Sequence, residues 1–182
     1  MSNTTFKHFI TNRSSESSLS KIISGIMPKT SSLDTLVGYF YFSGIKEIYQ
    51  EISNKQMRVL VGLDLDKEIQ NKVFELDLRT KKQHSSLQQR RSDFNEALVA
   101  LFNTTNYFEN EDAKEAFKIY YEKIKDGSLE IRKTSDPCHA KMYIFTYNEG
   151  SSEMGEDPGT VITGSSNLTY SGLRGQSEIN VR

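Results

Sequence analysis

The chain has 182 residues, with 23 Lys+Arg against 24 Asp+Glu and a formal net charge of −1. That length suits one compact domain. The balanced charge removes the simplest electrostatic route to nucleic acid, though a local basic patch stays open. Apolar residues make up 36% of the chain and fall in blocks, which excludes wholesale disorder. The single cysteine, Cys138, rules out an intramolecular disulfide framework and any Cys-rich zinc site. It fits a reducing compartment, so the expected location is cytoplasmic. No apolar run reaches the roughly 18 residues that a membrane span needs, and the first residues lack a signal-peptide core.

In chain order, residues 1–16 are polar and read as an arm with one short strand around Phe6 to Ile10. Residues 17–27 place Leu19, Ile22, Ile23 and Ile26 at helical spacing, and Pro28 ends the helix. Residues 33–42 are β-branched and aromatic, so they read as a buried strand. Residues 45–53 form a short helix with Ile45, Ile48, Tyr49 and Ile52 on one face. Residues 57–63 are a second buried strand, and this order implies a parallel pair with a right-handed crossover.

Residues 64–126 are mostly helical by composition. They open with the polar stretch 67–89 and continue as amphipathic helices over 93–102 and 112–124. Short strands are expected over 129–132, 139–145, 160–163 and 178–181, with an exposed loop over 148–159. The chain reaches Arg182 against its last strand and is read as the N-terminal part of a longer protein.

Chemistry concentrates between His139 and Glu178. On a strand, alternate side chains share a face, so His139 and Lys141 point the same way, about 7 Å apart along the chain. Cys138, Ala140, Met142 and Ile144 then face the other side, which suits a core. An imidazole beside an ammonium is a poor core pair and a good site for an anion. Gly164-Ser165-Ser166-Asn167 sits where a strand turns. There the backbone N–H groups, Ser hydroxyls and Asn amide offer neutral donors to a phosphate. Glu178 lies on a later strand, within reach of an imidazole N–H.

His-x-Lys, then Gly-Ser-x-Asn, then a Glu eleven residues after the Asn resembles the phospholipase D superfamily. It is closest to the nuclease branch, which includes metal-independent restriction endonucleases and the domains at the N-termini of large bacterial helicases. The full family pattern continues His-x-Lys-x4-Asp, and Thr146 holds the Asp position here. The nuclease branch relies on the downstream Glu instead. The resemblance implies an α/β fold, a mixed, mostly parallel sheet flanked by helices, over residues 17–182. It also implies a mechanism. His139 attacks phosphorus to give a phosphohistidine, and the His139 of a second motif copy protonates the leaving oxygen and later activates water. Lys141 and Asn167, with Gly164, Ser165 or Ser166, stabilise the phosphoryl oxygens, and Glu178 orients His139. No metal or cofactor is implied. A homodimer, or a second motif beyond Arg182, supplies the other copy.

Each motif also has a plainer reading. A lone His is usually structural, a lone Lys solvated, and Gly-Ser-Ser-Asn an ordinary turn. Arg79, Lys81, Lys82, Arg90 and Arg91 make a basic cluster that fits either a solvated face or a phosphate backbone. Tyr120 and Tyr121 read as core. The expected function is metal-independent cleavage of DNA, without a membrane. The alternative is a noncatalytic or weakly catalytic DNA-binding module attached to a helicase or ATPase region in the same chain. Phospholipid hydrolysis ranks third.

Overall fold

The computed structural model describes residues 9–67, 69, 71–72, 108, 110–150 and 158–182. The expected helix at 93–102 and the basic cluster at 79–91 lie outside the described residues, as do most of the polar stretch, the first half of the arm and the middle of the 148–159 loop.

Strand β1, Phe9–Thr11, leads into helix α1, Leu19–Ile26. Ser18 caps α1 by accepting from the Lys21 N–H at 3.3 Å. The helix buries Leu19, Ile23 and Ile26 and ends in a 3-10 turn containing Pro28. Strand β2 then runs Thr30–Phe40. The expected single helix over 45–53 is two short ones, α2 (Phe42–Lys46) and α3 (Tyr49–Ile52), because Ile48 leaves helical dihedrals at φ −136° and ψ 12°. Strand β3, Gln56–Leu65, follows. Helix α4, Glu111–Asp126, is capped by Asn110, which accepts from Ala113 N–H at 2.9 Å, and stops at Gly127 with φ 80°. Strands β4 (Leu129–Lys133), β5 (Met142–Tyr147), β6 (Gly159–Gly164) and β7 (Ile179–Val181) complete the order.

Among the described residues these strands form one seven-stranded sheet, in the order β1-β7-β6-β5-β2-β3-β4. Only β2–β3 and β3–β4 pair in parallel; the other four pairs are antiparallel. The sheet is therefore mixed as expected but mostly antiparallel, which corrects the mostly parallel expectation. The two parallel pairs are those whose strands are linked through α2 and α3 or through α4.

One sheet face is the core face. Leu33, Val37, Met57, Val59, Leu129, Tyr143, Phe145 and Ile162 are buried there and join the helix residues Leu19, Ile23 and Phe117 in one cluster. Tyr120 and Tyr121 are core, as expected. The opposite face carries Phe9, Leu60, Ile144, Val161, Ile179 and Val181, all exposed. Two expectations for the His139 segment are corrected here. Strand β5 starts at Met142, so His139 lies in the loop before it. The inward residues are Lys141, Tyr143 and Phe145, whereas Ala140 and Ile144 are exposed. The aromatic pair fixes the face of β5, and Lys141 shares its parity.

The end of the parallel pair is irregular in a way that positions this loop. The β2–β3 register shifts between Val37 and Tyr39, so that Val37 faces Val61 but Tyr39 faces Asp64. Such a bulge re-aims the residues after it. Phe40 and Phe42 turn into the core, and Tyr39 and Tyr41 are left half-exposed. At the bulge, Cys138 N–H donates to the Gly62 carbonyl at 3.1 Å, and the loop lies flat on the strand. A Cβ on Gly62 would fall 1.8 Å from the Cys138 carbonyl oxygen.

Gly62→Ala therefore forces the loop off β3. Overpacking of this kind costs about 1–3 kcal/mol. In a chain of this size, that corresponds to a Tm lower by about 3–10 °C. Calorimetry of the variant checks this, and an unchanged Tm would show that the loop does not need the contact.

Candidate active site

The candidate residues meet at the C-terminal ends of β2 and β3, where open α/β sheets usually bind ligands. The loop carrying His139 is tied down before it arrives. Thr134 N–H donates to the Val61 carbonyl at 2.9 Å, and the Thr134 hydroxyl donates to the Asp136 carbonyl at 2.6 Å. His139 is exposed, while Lys141, two residues on, is 5% exposed. The Lys141 Nζ lies 2.8 Å from both Nδ1 and Nε2 of His139 and donates to the His139 carbonyl at 2.7 Å. The short His-x-Lys spacing thus brings the two groups together without a strand beneath them.

Asn167 comes from the turn after β6. Its Oδ1 accepts from the Tyr39 backbone N–H at 3.0 Å, which leaves the Nδ2 donors uncommitted among the described residues. Gly38 lies between Asn167 and His139. A Cβ there would sit 3.2 Å from His139 Cδ2 and 3.3 Å from Asn167 Oδ1. His139 and Asn167 therefore meet across Gly38, and Lys141 joins them through its contact with the His139 ring. They present an imidazole, an ammonium and a neutral donor.

The other expected site residues are placed differently. The Ser165 hydroxyl donates to the Glu178 carboxylate, and it also accepts from Ile179 N–H at 3.1 Å. Glu178 makes no hydrogen bond to His139 among the described residues; its partner is Ser165. Its charge is still felt at Lys141. Burial pushes the Lys141 ammonium pKa down, and Glu178, followed by Cys138, pulls it back up. Ser166 is buried. Its Oγ accepts from Asn180 Nδ2 at 2.8 Å and its N–H donates to Asn180 Oδ1 at 3.3 Å. It holds the turn and is not open to a ligand. The Tyr143 hydroxyl, its pKa raised by burial and by Glu178, donates to the Ser166 carbonyl at 3.1 Å. Gly164 packs its α-carbon against the Ile179 carbonyl, with no room for a side chain.

Gly38, Gly62, Tyr39 and Asn180 belong to this site and were not singled out from sequence. For Asn180 the signal was present: a polar residue between two apolar ones on a short strand. The strand turns Asn180 inward and leaves Ile179 and Val181 exposed. Among the described residues no three His, Cys, Asp or Glu side chains gather as metal ligands would.

A family model described as cardiolipin synthase, PLD-like domain, matches residues 30–182. A search of curated proteins gave no match. The matched span contains every site residue above.

The electrostatics give a direct test. The ε-ammonium of Lys141 should titrate below an exposed lysine, followed by NMR of labelled lysine. Glu178→Gln removes the charge that favours the ammonium, so the Lys141 pKa should fall further. A Lys141 pKa that is unmoved or raised by Glu178→Gln would overturn the coupling.

Proposed function

The chain belongs to the phospholipase D-like domain family, and from that membership we propose that it hydrolyses phosphodiester bonds in DNA through a phosphohistidine intermediate. The observation that carries this reading is the convergence of the exposed His139 imidazole, the Lys141 Nζ at 2.8 Å from both its ring nitrogens, and Asn167, which meets His139 across Gly38. A ring nitrogen of His139 attacks phosphorus, and the bond from phosphorus to the leaving oxygen breaks. Lys141 and Asn167 face the phosphoryl oxygens, where negative charge develops. The leaving oxygen needs a proton, and later a water must lose one as it attacks the phosphohistidine. A second imidazole serves both steps, and after the second the product is a phosphate monoester with His139 restored.

The chain holds one such motif, so the reading calls for a second copy beside it. A homodimer provides this, with the same surface used on both partners. The exposed apolar residues on the uncovered sheet face, Leu60, Ile144, Val161 and Val181 among them, favour association between copies. No helix among the described residues is long and apolar enough to cross a membrane.

The test is plasmid DNA incubated with the chain in EDTA, beside His139→Ala and Lys141→Ala. Nicking should survive the chelator and vanish with His139→Ala. It should fall about 10²–10³-fold with Lys141→Ala, the loss typical for one stabilising donor. Salt-sensitive binding without nicking would replace catalysis by DNA targeting. Turnover of phosphatidylglycerol vesicles with no action on DNA would overturn the choice of substrate.

A further inference from the structure

A second feature lies two tyrosine rings away from His139. The Tyr39 ring stands edge-on to the His139 ring, with centroids 6.4 Å apart and planes at 82°. Tyr41 continues the line, 6.1 Å from Tyr39. Beyond them is a cavity of about 320 Å³ lined by Tyr41, Asp64, Leu65, Asp66 and Lys67. Its two carboxylates are not equivalent. Asp66 is engaged in the fold, accepting from Phe42 N–H at 3.3 Å and Ile69 N–H at 3.2 Å. Asp64 is half-buried, and its carboxylate makes no hydrogen bond or ion pair among the described residues.

The lining selects its occupant. A cation would meet Lys67, and an anion would meet Asp64 and Asp66. A neutral flat ring suits both, because its face can lie on tyrosine and its edge can present a donor beside an acceptor. Burial and then the Asp64 charge raise the Tyr41 pKa, so the phenol stays neutral.

We propose that this cavity receives an unstacked nucleobase next to the scissile phosphate. Tyr41 stacks on its face, Asp64 accepts from its N–H edge, and Lys67 donates to the neighbouring ring nitrogen or carbonyl. The proposal rests on the DNA reading above and extends it to strand preference. A paired and stacked base offers neither its face nor that edge, so single strands are the substrate. The sugar-phosphate backbone of an unpaired strand spans from His139 to the cavity along Tyr39 and Tyr41, whose rings line that path.

Binding tests this without turnover, in the full chain carrying His139→Asn. Three labelled DNAs are compared: a short single strand, a strand of equal length with abasic sugars throughout, and the duplex. The intact strand should bind about tenfold or more tighter than the abasic one, the scale of one base stacked on an aromatic side chain. It should also bind tighter than the duplex. Adding Tyr41→Ala or Asp64→Asn should shrink the gap between intact and abasic strands, and Tyr41→Phe should keep it. Equal binding of intact and abasic strands, a gap that survives both Tyr41→Ala and Asp64→Asn, or preference for duplex would overturn the base cavity while leaving DNA as the substrate. Failure to bind any of the three would overturn the DNA reading itself.

Discussion

The site depends on backbone lying directly on backbone. The loop that ends in His139 reaches the strand ends only because Gly62 leaves nothing between β3 and the Cys138 carbonyl. Gly38 does the same one strand away, where any side chain would press on His139 and Asn167 together. The register shift at these two glycines also turns Tyr39 and Tyr41 outward. One local irregularity in a parallel pair therefore admits the His139 loop, seats His139 and Asn167 against Gly38 and exposes the rings beside them. Bulges near active sites commonly re-aim side chains in this way.

Behind that surface the polar groups are fully occupied with one another. Asn180 is buried in the last strand, where an unpaired amide would be costly. It instead spends both ends of its side chain on Ser166. Tyr143 adds a third bond to the same residue. This fixes the backbone just before Asn167, whose own oxygen is held by Tyr39. The Asn167 amide is thus placed by two strands at once. A group oriented before the ligand arrives does not have to reorganise as charge develops.

Much of this was legible in the residues, but unevenly. The strand pair β2–β3, helices α1 and α4 and the His-x-Lys and Gly-Ser-x-Asn segments all show local signals of period, cap or spacing. What failed was inference across a boundary. Treating 139–145 as one strand gave Ala140 to the core. In the structure the strand begins later, and Tyr143 and Phe145 decide which face is inward. The mostly parallel sheet failed for a related reason, since strand direction depends on connections whose paths no local pattern records. Tyr39 and Tyr41 sat inside an aromatic run that reads as buried throughout. Only the bulge, which arises between two strands, separates them from Phe40 and Phe42. Asn180 was the opposite case: the pattern was there, but apolar neighbours on a three-residue strand point outward as readily as inward.

The same arrangement leaves a buried cation without a close counter-charge. Lys141 is nearly fully buried, yet it has no ion pair among the described residues. Its close partners are a neutral carbonyl and an imidazole, and burial disfavours its charge. Glu178 helps at a distance, but its carboxylate is committed to Ser165. On the proposed function, a phosphodiester at His139 supplies the missing negative charge at short range, where partial desolvation strengthens the attraction. The Lys141 ammonium would then be stabilised by that ligand, and more so as negative charge builds on the phosphoryl oxygens, so the interaction would favour the transition state over the ground state.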